Sequence, residues 1–168
     1  MGTSEISGKH QILVTSASPE ETMDIGATFA RLCTPNDVVG LTGTLGAGKT
    51  CFVRGMARGL EVEETEAVTS PTFVLLHQYS GRLTLYHYDA YRLQSAESMY
   101  EIGCEETFES GGVTAIEWAD HVAECLPEEY FLWNLNIQEQ TVRELTLTAS
   151  GAGPRKRLPK MEKGLGSA

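Results

Sequence analysis

Apolar residues fall along this chain in two rhythms. Between Ser16 and Cys33, SASPEETMDIGATFARLC, the residues Met23, Ala27, Ala30 and Leu32 supply part of one apolar face at helical spacing. Ser18 suits an N-cap, Pro19 fits a first turn, and Glu20, Glu21 and Asp24 sit near the positive end. The spacing predicts a helix there. A second helix is expected from about Lys49 to Arg58, where Phe52, Val53, Met56, Ala57 and Leu60 share a face and Gly59 marks the stop. Gly55 interrupts that segment. A mid-helix glycine costs about 1 kcal/mol against alanine, and close packing on a sheet would account for it.

The other rhythm is the short unbroken run. DVVGLTG (Asp37 to Gly43), RLTLYHYD (Arg82 to Asp89) and GVTAIEW (Gly112 to Trp118) suit strands buried on both faces of a parallel sheet. VTSPTFVLLHQYSG and YFLWNLNIQEQTVRELTLTA read as further strands with turns between them. NLNIQ and RELTLTA alternate, which predicts antiparallel pairing at an edge. The acidic stretch from Ser95 to Glu109 is expected to be helical. The order implies an α/β fold with a mixed, mainly parallel sheet flanked by helices.

At 168 residues the chain suits one domain, drawn over residues 1–150. From Gly151 to Ala168 there are five basic residues against one acid, Glu162, so this stretch carries +4 of a total of −10 and the remainder carries −14. An acidic body repels a phosphate backbone, so autonomous nucleic-acid binding is not expected and tRNA contact would be indirect. The Gly-, Pro- and Lys-rich tail 151–168 is expected to be unstructured. No apolar run approaches the roughly 18 residues that span a bilayer. MGTSEISGKHQILV shows no secretory leader, and Ile6 stands where a myristoylation signal wants a hydroxyl residue. Cys33, Cys51, Cys104 and Cys125 are dispersed, with no metal or redox spacing, as expected of reduced, mostly buried thiols in a cytoplasmic protein.

Chemistry concentrates at GTLGAGKT, Gly43 to Thr50, which matches GxxxxGK[ST]. Glycines let successive backbone N–H groups converge on one centre without a clashing side chain. Lys49 reaches β- and γ-phosphates, the Thr50 hydroxyl can ligate Mg²⁺, and the following helix adds its positive end. The preceding run and following helix supply the context a P-loop needs. The nucleotide-contacting stretch is Thr44, Leu45, Gly46, Ala47, Gly48, Lys49, Thr50 and Cys51.

Two acids close apolar runs as the loop does. In a parallel sheet ligands gather beyond the strands' carboxyl ends, so neighbouring strands would aim Asp89 and Glu117 at Lys49 and Thr50. Mg²⁺ takes oxygen ligands, often one or two carboxylates with water and phosphate. Thr50 with Asp89 or Glu117 meets that need, and the other acid could orient or deprotonate a water. Ser70-Pro71-Thr72 is a candidate switch, with Thr72 offering a hydroxyl to a γ-phosphate or its ion. On pattern alone Trp118 is a packing aromatic, His87 is structural within its strand, and His10, His77 and His121 show no ligand pattern.

No Asn-Lys-x-Asp guanine signature occurs, which disfavours GTP. A kinase lid needs arginines, yet Asp89 to Glu117 holds only Arg92 among many acids. A hydrolase or ATP-driven switch fits better. A small-molecule P-loop kinase and a nucleotide-dependent assembly module with incidental hydrolysis remain alternatives.

Taken together, LTGTLGAGKTCFVRG, VTSPTFVLLHQY, LYHYDAYRL, EIGCEETF and AIEWAD occur in an order and spacing that resembles the TsaE (YjeE/YdiB) family, over about Ser16 to Ala149. That family comprises small ATPases of the bacterial threonylcarbamoyladenosine tRNA-modification pathway. The resemblance implies a P-loop NTPase-like fold and Mg²⁺-dependent ATP hydrolysis that is weak alone and functional in a complex. It implies a TsaD-like transferase and a TsaB-like paralogue as partners. It places Lys49 and Thr50 at phosphate and metal, Thr72 in a switch-like segment, Asp89 at the Walker-B-like acid, and Glu117-Trp118 near metal and nucleotide. The expected catalytic set is Lys49, Asp89 and Glu117, and the metal set Thr50, Asp89 and Glu117. Family members often carry Pro after the Glu-Trp pair, where this chain has Ala119-Asp120, and the tail after Ser150 lies outside the pattern.

Overall fold

A computed structural model describes residues 10–63 and 68–166. The stretch read for a leader or lipid signal, residues 1–9, and the last two residues of the tail lie outside them. The elements run β1 (Ile12–Ser16), α1 (Pro19–Arg31), β2 (Val38–Thr42), α2 (Lys49–Gly59), β3 (Leu76–Tyr79), β4 (Leu85–Asp89), α3 (Ala96–Glu101), α4 (Cys104–Phe108), β5 (Val113–Glu117), β6 (Tyr130–Ile137), β7 (Arg143–Ser150) and α5 (Ala152–Leu165). A short 3₁₀ segment, Ala119–Cys125, follows β5.

The strands form one mixed sheet in the order β1-β7-β6-β2-β5-β4-β3. The central ladders β6–β2, β2–β5 and β5–β4 are parallel, and the outer ladders β1–β7, β7–β6 and β4–β3 are antiparallel. The expected α/β sheet is therefore present, with its parallel strands confined to the centre. β1 had no counterpart in the pattern reading; its alternation over five residues is too short to stand out. Of VTSPTFVLLHQYSG only Leu76–Tyr79 is strand. Leu75 donates its N–H to the Pro71 carbonyl, closing a turn that leaves Phe73 and Val74 exposed.

Alternation along β2 shows the layering. Val39 and Leu41 join the core beneath α1 and α2, with Phe29, Phe52, Phe131 and Trp133, whereas Val38 joins the core of the opposite face, with Tyr88, Met99 and Ile116. The first core is built on aromatic edges: Phe29 meets Phe131 and Trp133, each at 5.5 Å between ring centres. Ser18 caps α1, accepting the Glu21 N–H at 3.1 Å. The region Ser95 to Glu109 is helical but split, since Gly103 adopts a left-handed φ of 80° between α3 and α4.

Gly55 has a different cause from the one the sequence suggested. A Cβ there would strike the Met23 carbonyl of α1, not the sheet, and Gly26 and Gly59 face the partner helix in the same way. The two helices meet backbone to backbone. The cysteines match expectation: Cys33, Cys104 and Cys125 are buried, Cys51 is half-buried, and all four are free. Burial pushes the Cys125 thiol up to about 12.

The tail expected to be unstructured is instead helix α5. Pro154, Leu158, Met161 and Leu165 recur on one face and are buried against the α1 side of the sheet. Arg157 donates to both Asp37 carboxylate oxygens, at 2.7 and 2.9 Å, and to the Leu32 carbonyl at 2.8 Å. Composition hid this stripe: Arg155, Lys156, Lys160 and Lys163 are exposed, and Pro159 sits on the exposed side. The folded unit therefore continues past residue 150.

Two substitutions test this packing by urea unfolding. Gly55→Ala should destabilise the chain by about 1–3 kcal/mol through overpacking, despite alanine's better helix propensity. Met161→Ala should cost about 2–5 kcal/mol, whereas an unstructured tail would give no change.

Candidate active site

Three strand ends build the site. β2 ends at Thr42, and the chain turns through Gly43 to Gly48 into α2. Gly43, Gly46 and Gly48 hold φ values of 139°, 79° and 102°, where side chains are strained. Gly48 caps α2 without a side-chain bond, so first-turn N–H groups stay open to an anion. In the parallel register Leu41 lies opposite Glu117, and Glu117 lies opposite Asp89. Both acids thus reach the edge where the loop emerges.

Each carboxylate has its own partners. Glu117, 3% exposed, accepts the Thr50 hydroxyl at 2.8 Å to Oε1 and 3.0 Å to Oε2. Its Oε1 also lies 2.8 Å from His87 Nε2. Asp89, 4% exposed, accepts the Ser70 hydroxyl, the Thr72 hydroxyl at 3.1 Å, and the Tyr91 N–H at 2.8 Å. Glu117 therefore belongs with Thr50, and Asp89 with the 70–72 turn. That division was open in the sequence.

Lys49 lies over the loop. Its ammonium donates to the Gly43 carbonyl at 2.5 Å and the Thr44 carbonyl at 3.0 Å, and stands 3.7 Å from the centre of the Trp118 ring. Burial pulls its pKa below the ordinary lysine value, opposed by the charges of Glu117, Asp120 and Asp89. Trp118, itself half-buried, leaves β5 with a left-handed φ of 58° and forms an aromatic wall with the exposed Tyr91 and His121, at 4.9 and 5.3 Å between ring centres.

Leu45, Gly46, Gly48, Lys49, Thr50, Cys51, Thr72, Asp89, Glu117 and Trp118 line a single cavity of about 370 Å³. Thr44 meets Lys49 through its carbonyl alone. The Ala47 side chain is fully buried in the core, so that residue can offer only backbone. Sequence reasoning missed His87, Tyr91 and Asp120. His87 stands two residues before Asp89, on the same face of β4, but nothing in the sequence pairs it with Glu117. Asp120 and Tyr91 follow strand ends without a pattern of their own.

The donor set suits a hard divalent cation. Thr50 and Glu117 present oxygen side by side, with Asp89 beside them. Among the described residues no three His, Cys, Asp or Glu side chains close on one point. A cation here would complete its shell with water and phosphate oxygens, which is the habit of Mg²⁺.

The family model described as threonylcarbamoyl adenosine biosynthesis protein TsaE matches residues 16–145. The chain is 46% identical over 132 residues to the tRNA threonylcarbamoyladenosine biosynthesis protein TsaE of Treponema pallidum (strain Nichols), covering 79% of this chain and 96% of that one. It is 39% identical over 142 residues to the protein of the same name from Bacillus subtilis (strain 168), covering 84% and 87%. Its structure resembles the crystal structure of YdiB from Bacillus subtilis, with a TM-score of 0.73 and 34% identity over 94% and 95% of the two chains.

Cys51 offers a check on the cavity. Its thiol donates to the Pro19 carbonyl at 3.1 Å, and burial raises its pKa. A raised thiol pKa keeps the thiolate scarce until the pH passes it. Alkylation by iodoacetamide should therefore label Cys51 ahead of the three buried thiols. Its rate should rise about tenfold from pH 8 to pH 9 without levelling. Mass spectrometry of timed samples reads both.

Proposed function

The chain belongs to the TsaE family of threonylcarbamoyl adenosine biosynthesis proteins, and from that premise we propose that it binds Mg²⁺–ATP in the Gly43–Thr50 loop and hydrolyses it to support threonylcarbamoyl transfer to tRNA. The observation that carries this reading is the Thr50–Glu117 hydrogen bond beside the open start of α2. It joins a hydroxyl and a carboxylate suited to one cation at a place suited to phosphate.

Charge argues for the ion. One ammonium, Lys49, faces Glu117, Asp120 and Asp89. Such a site repels a bare triphosphate and accepts one that arrives with a divalent cation. Thr50 and Glu117 would hold Mg²⁺, which when bound supplies positive charge to the phosphate oxygens. Backbone N–H groups of the loop cradle the β-phosphate. Lys49 exchanges its carbonyl partners for phosphate oxygens. Asp89, with Thr72, orients the attacking water.

Lys49 is the one cationic side chain lining this cavity among the described residues. A single cationic side chain beside the ion leaves phosphoryl-transfer charge only partly met, which supports slow hydrolysis by the isolated chain. Leu45, Phe73, Val74 and Tyr91 are exposed around the mouth. This apolar rim supports a partner seated over the nucleotide, assigned to a TsaD-like transferase with its TsaB-like paralogue. Contact with tRNA is through that complex, and the site of action is the cytoplasm. No helix among the described residues is long and apolar enough to cross a membrane.

A second reading, in which ATP binding switches assembly and hydrolysis is incidental, draws on the Ser70 and Thr72 bonds to Asp89. The kinase alternative finds less support: α3 packs on the 3₁₀ segment, and Arg92 stacks on Phe73 at 4.5 Å.

Phosphate release should be measured with purified TsaD- and TsaB-like partners. Lys49→Ala and Asp89→Ala should each lower it by about 100-fold or more, with both variants still folded and melting cooperatively. Undiminished turnover in both variants would end the assignment. Label from γ-labelled ATP should appear in inorganic phosphate; label in a metabolite would favour a kinase. Partner capture that ignores nucleotide would remove the assembly reading.

A further inference from the structure

His87 is a buried polar side chain whose place strand packing alone does not explain. It is 0% exposed and lies opposite Ala115 in the β4–β5 ladder, two residues before Asp89. The small side chain of Ala115 leaves room for the imidazole to reach along β5 toward the next residue on that face, Glu117. There Nε2 stands 2.8 Å from Oε1. A carboxylate only accepts, so Nε2 carries a hydrogen in this bond. Nδ1 is buried and has no partner. An imidazole half satisfied in a core is a poorer occupant than an apolar side chain of equal size, unless its one bond matters.

We propose that His87 is a positioning residue for Glu117. Its N–H pins Oε1, and Oε2 is left to face a cation beside the Thr50 hydroxyl. Without that bond the carboxylate is free to turn about its last torsion, toward the Lys49 ammonium or toward Thr50 alone. The inference rests on the nucleotide and metal reading above and adds to it the residue that sets the metal ligand's orientation. Hydrogen-bond partners of metal ligands have effects of this kind, since they fix a ligand's rotation rather than its presence.

Mn²⁺ serves as the probe, read by electron paramagnetic resonance on the full chain with a non-hydrolysable ATP analogue. His87→Leu should weaken Mn²⁺ binding in the presence of the analogue by about tenfold. His87→Gln, whose side-chain amide can supply an N–H at similar reach, should restore Mn²⁺ binding to nearly the wild-type value. A merely structural His87 would lower the melting temperature of His87→Leu and leave Mn²⁺ affinity alone, which overturns the proposal. Equal Mn²⁺ affinity in the Gln and Leu variants also overturns it. Should His87→Leu fail to fold, His87→Asn, polar but one bond shorter, takes its place against His87→Gln. If the wild-type chain binds neither analogue nor Mn²⁺, the nucleotide reading falls and this inference with it. If the wild type binds both and His87→Leu binds Mn²⁺ equally well, only this inference falls.

Discussion

Asp89 and Glu117 face each other across the β4–β5 ladder, and both are buried. Two like charges opposed on one sheet face are unfavourable unless each is separately compensated. The fold provides two independent sets of donors. Thr50 from α2 and His87 from β4 attend Glu117; Ser70, Thr72 and the Tyr91 N–H attend Asp89. Compensation therefore draws the start of α2, the 70–72 turn and the chain after β4 onto one edge. The cavity is a consequence of satisfying that pair.

This geometry needs α2 to be held firmly, because Thr50 and Lys49 sit in its first turn. The grip comes from the α1 side. Gly26, Gly55 and Gly59 let the two backbones touch, and Phe29, Phe52 and Trp133 fill the space between helices and sheet. Arg58 adds exposed bonds to Glu20 and Asp24, at 3.1 and 3.0 Å. Exposed pairs of this kind contribute little beside the core contacts. The open N-terminus of α2 is thus fixed relative to β2, and the glycine loop spans a set distance.

Much of this was legible in residue order. The loop match, the run ending in Asp89 and the run ending in Glu117 pointed to the candidate site because an unbroken apolar run and a terminal acid leave a local trace. Ser18, Pro19 and the acids after them announced α1 for the same reason. What could not be read depends on contacts between distant residues. Gly55 carried a signal of close approach, but its partner, Met23 of α1, is a tertiary fact. The α5 stripe of Pro154, Leu158, Met161 and Leu165 was present at helical spacing, yet glycine, proline and lysine content outweighed it. His87 looked like an ordinary strand residue, and only the register brings it diagonally to Glu117. Which acid belongs with Thr50 was likewise undecidable until the strands were ordered.

The two carboxylates also differ in what anchors their partners, and this bears on how the proposed cycle could run. Glu117 is tied to a fully buried ring and to the first turn of a packed helix. It cannot move without disturbing the core. Asp89 is tied to hydroxyls on a turn whose next residues, Phe73 and Val74, are exposed and whose Leu75 holds a left-handed φ of 70°. A turn with few buried contacts rearranges at low free-energy cost. A change in phosphate state sensed at Thr72 would therefore pass outward through the 70–75 turn, whereas Glu117, the proposed metal ligand, would stay fixed. The apolar rim that the proposed partner would meet is attached to the side of the site able to respond, so partner contact and nucleotide state would be read by the same few residues.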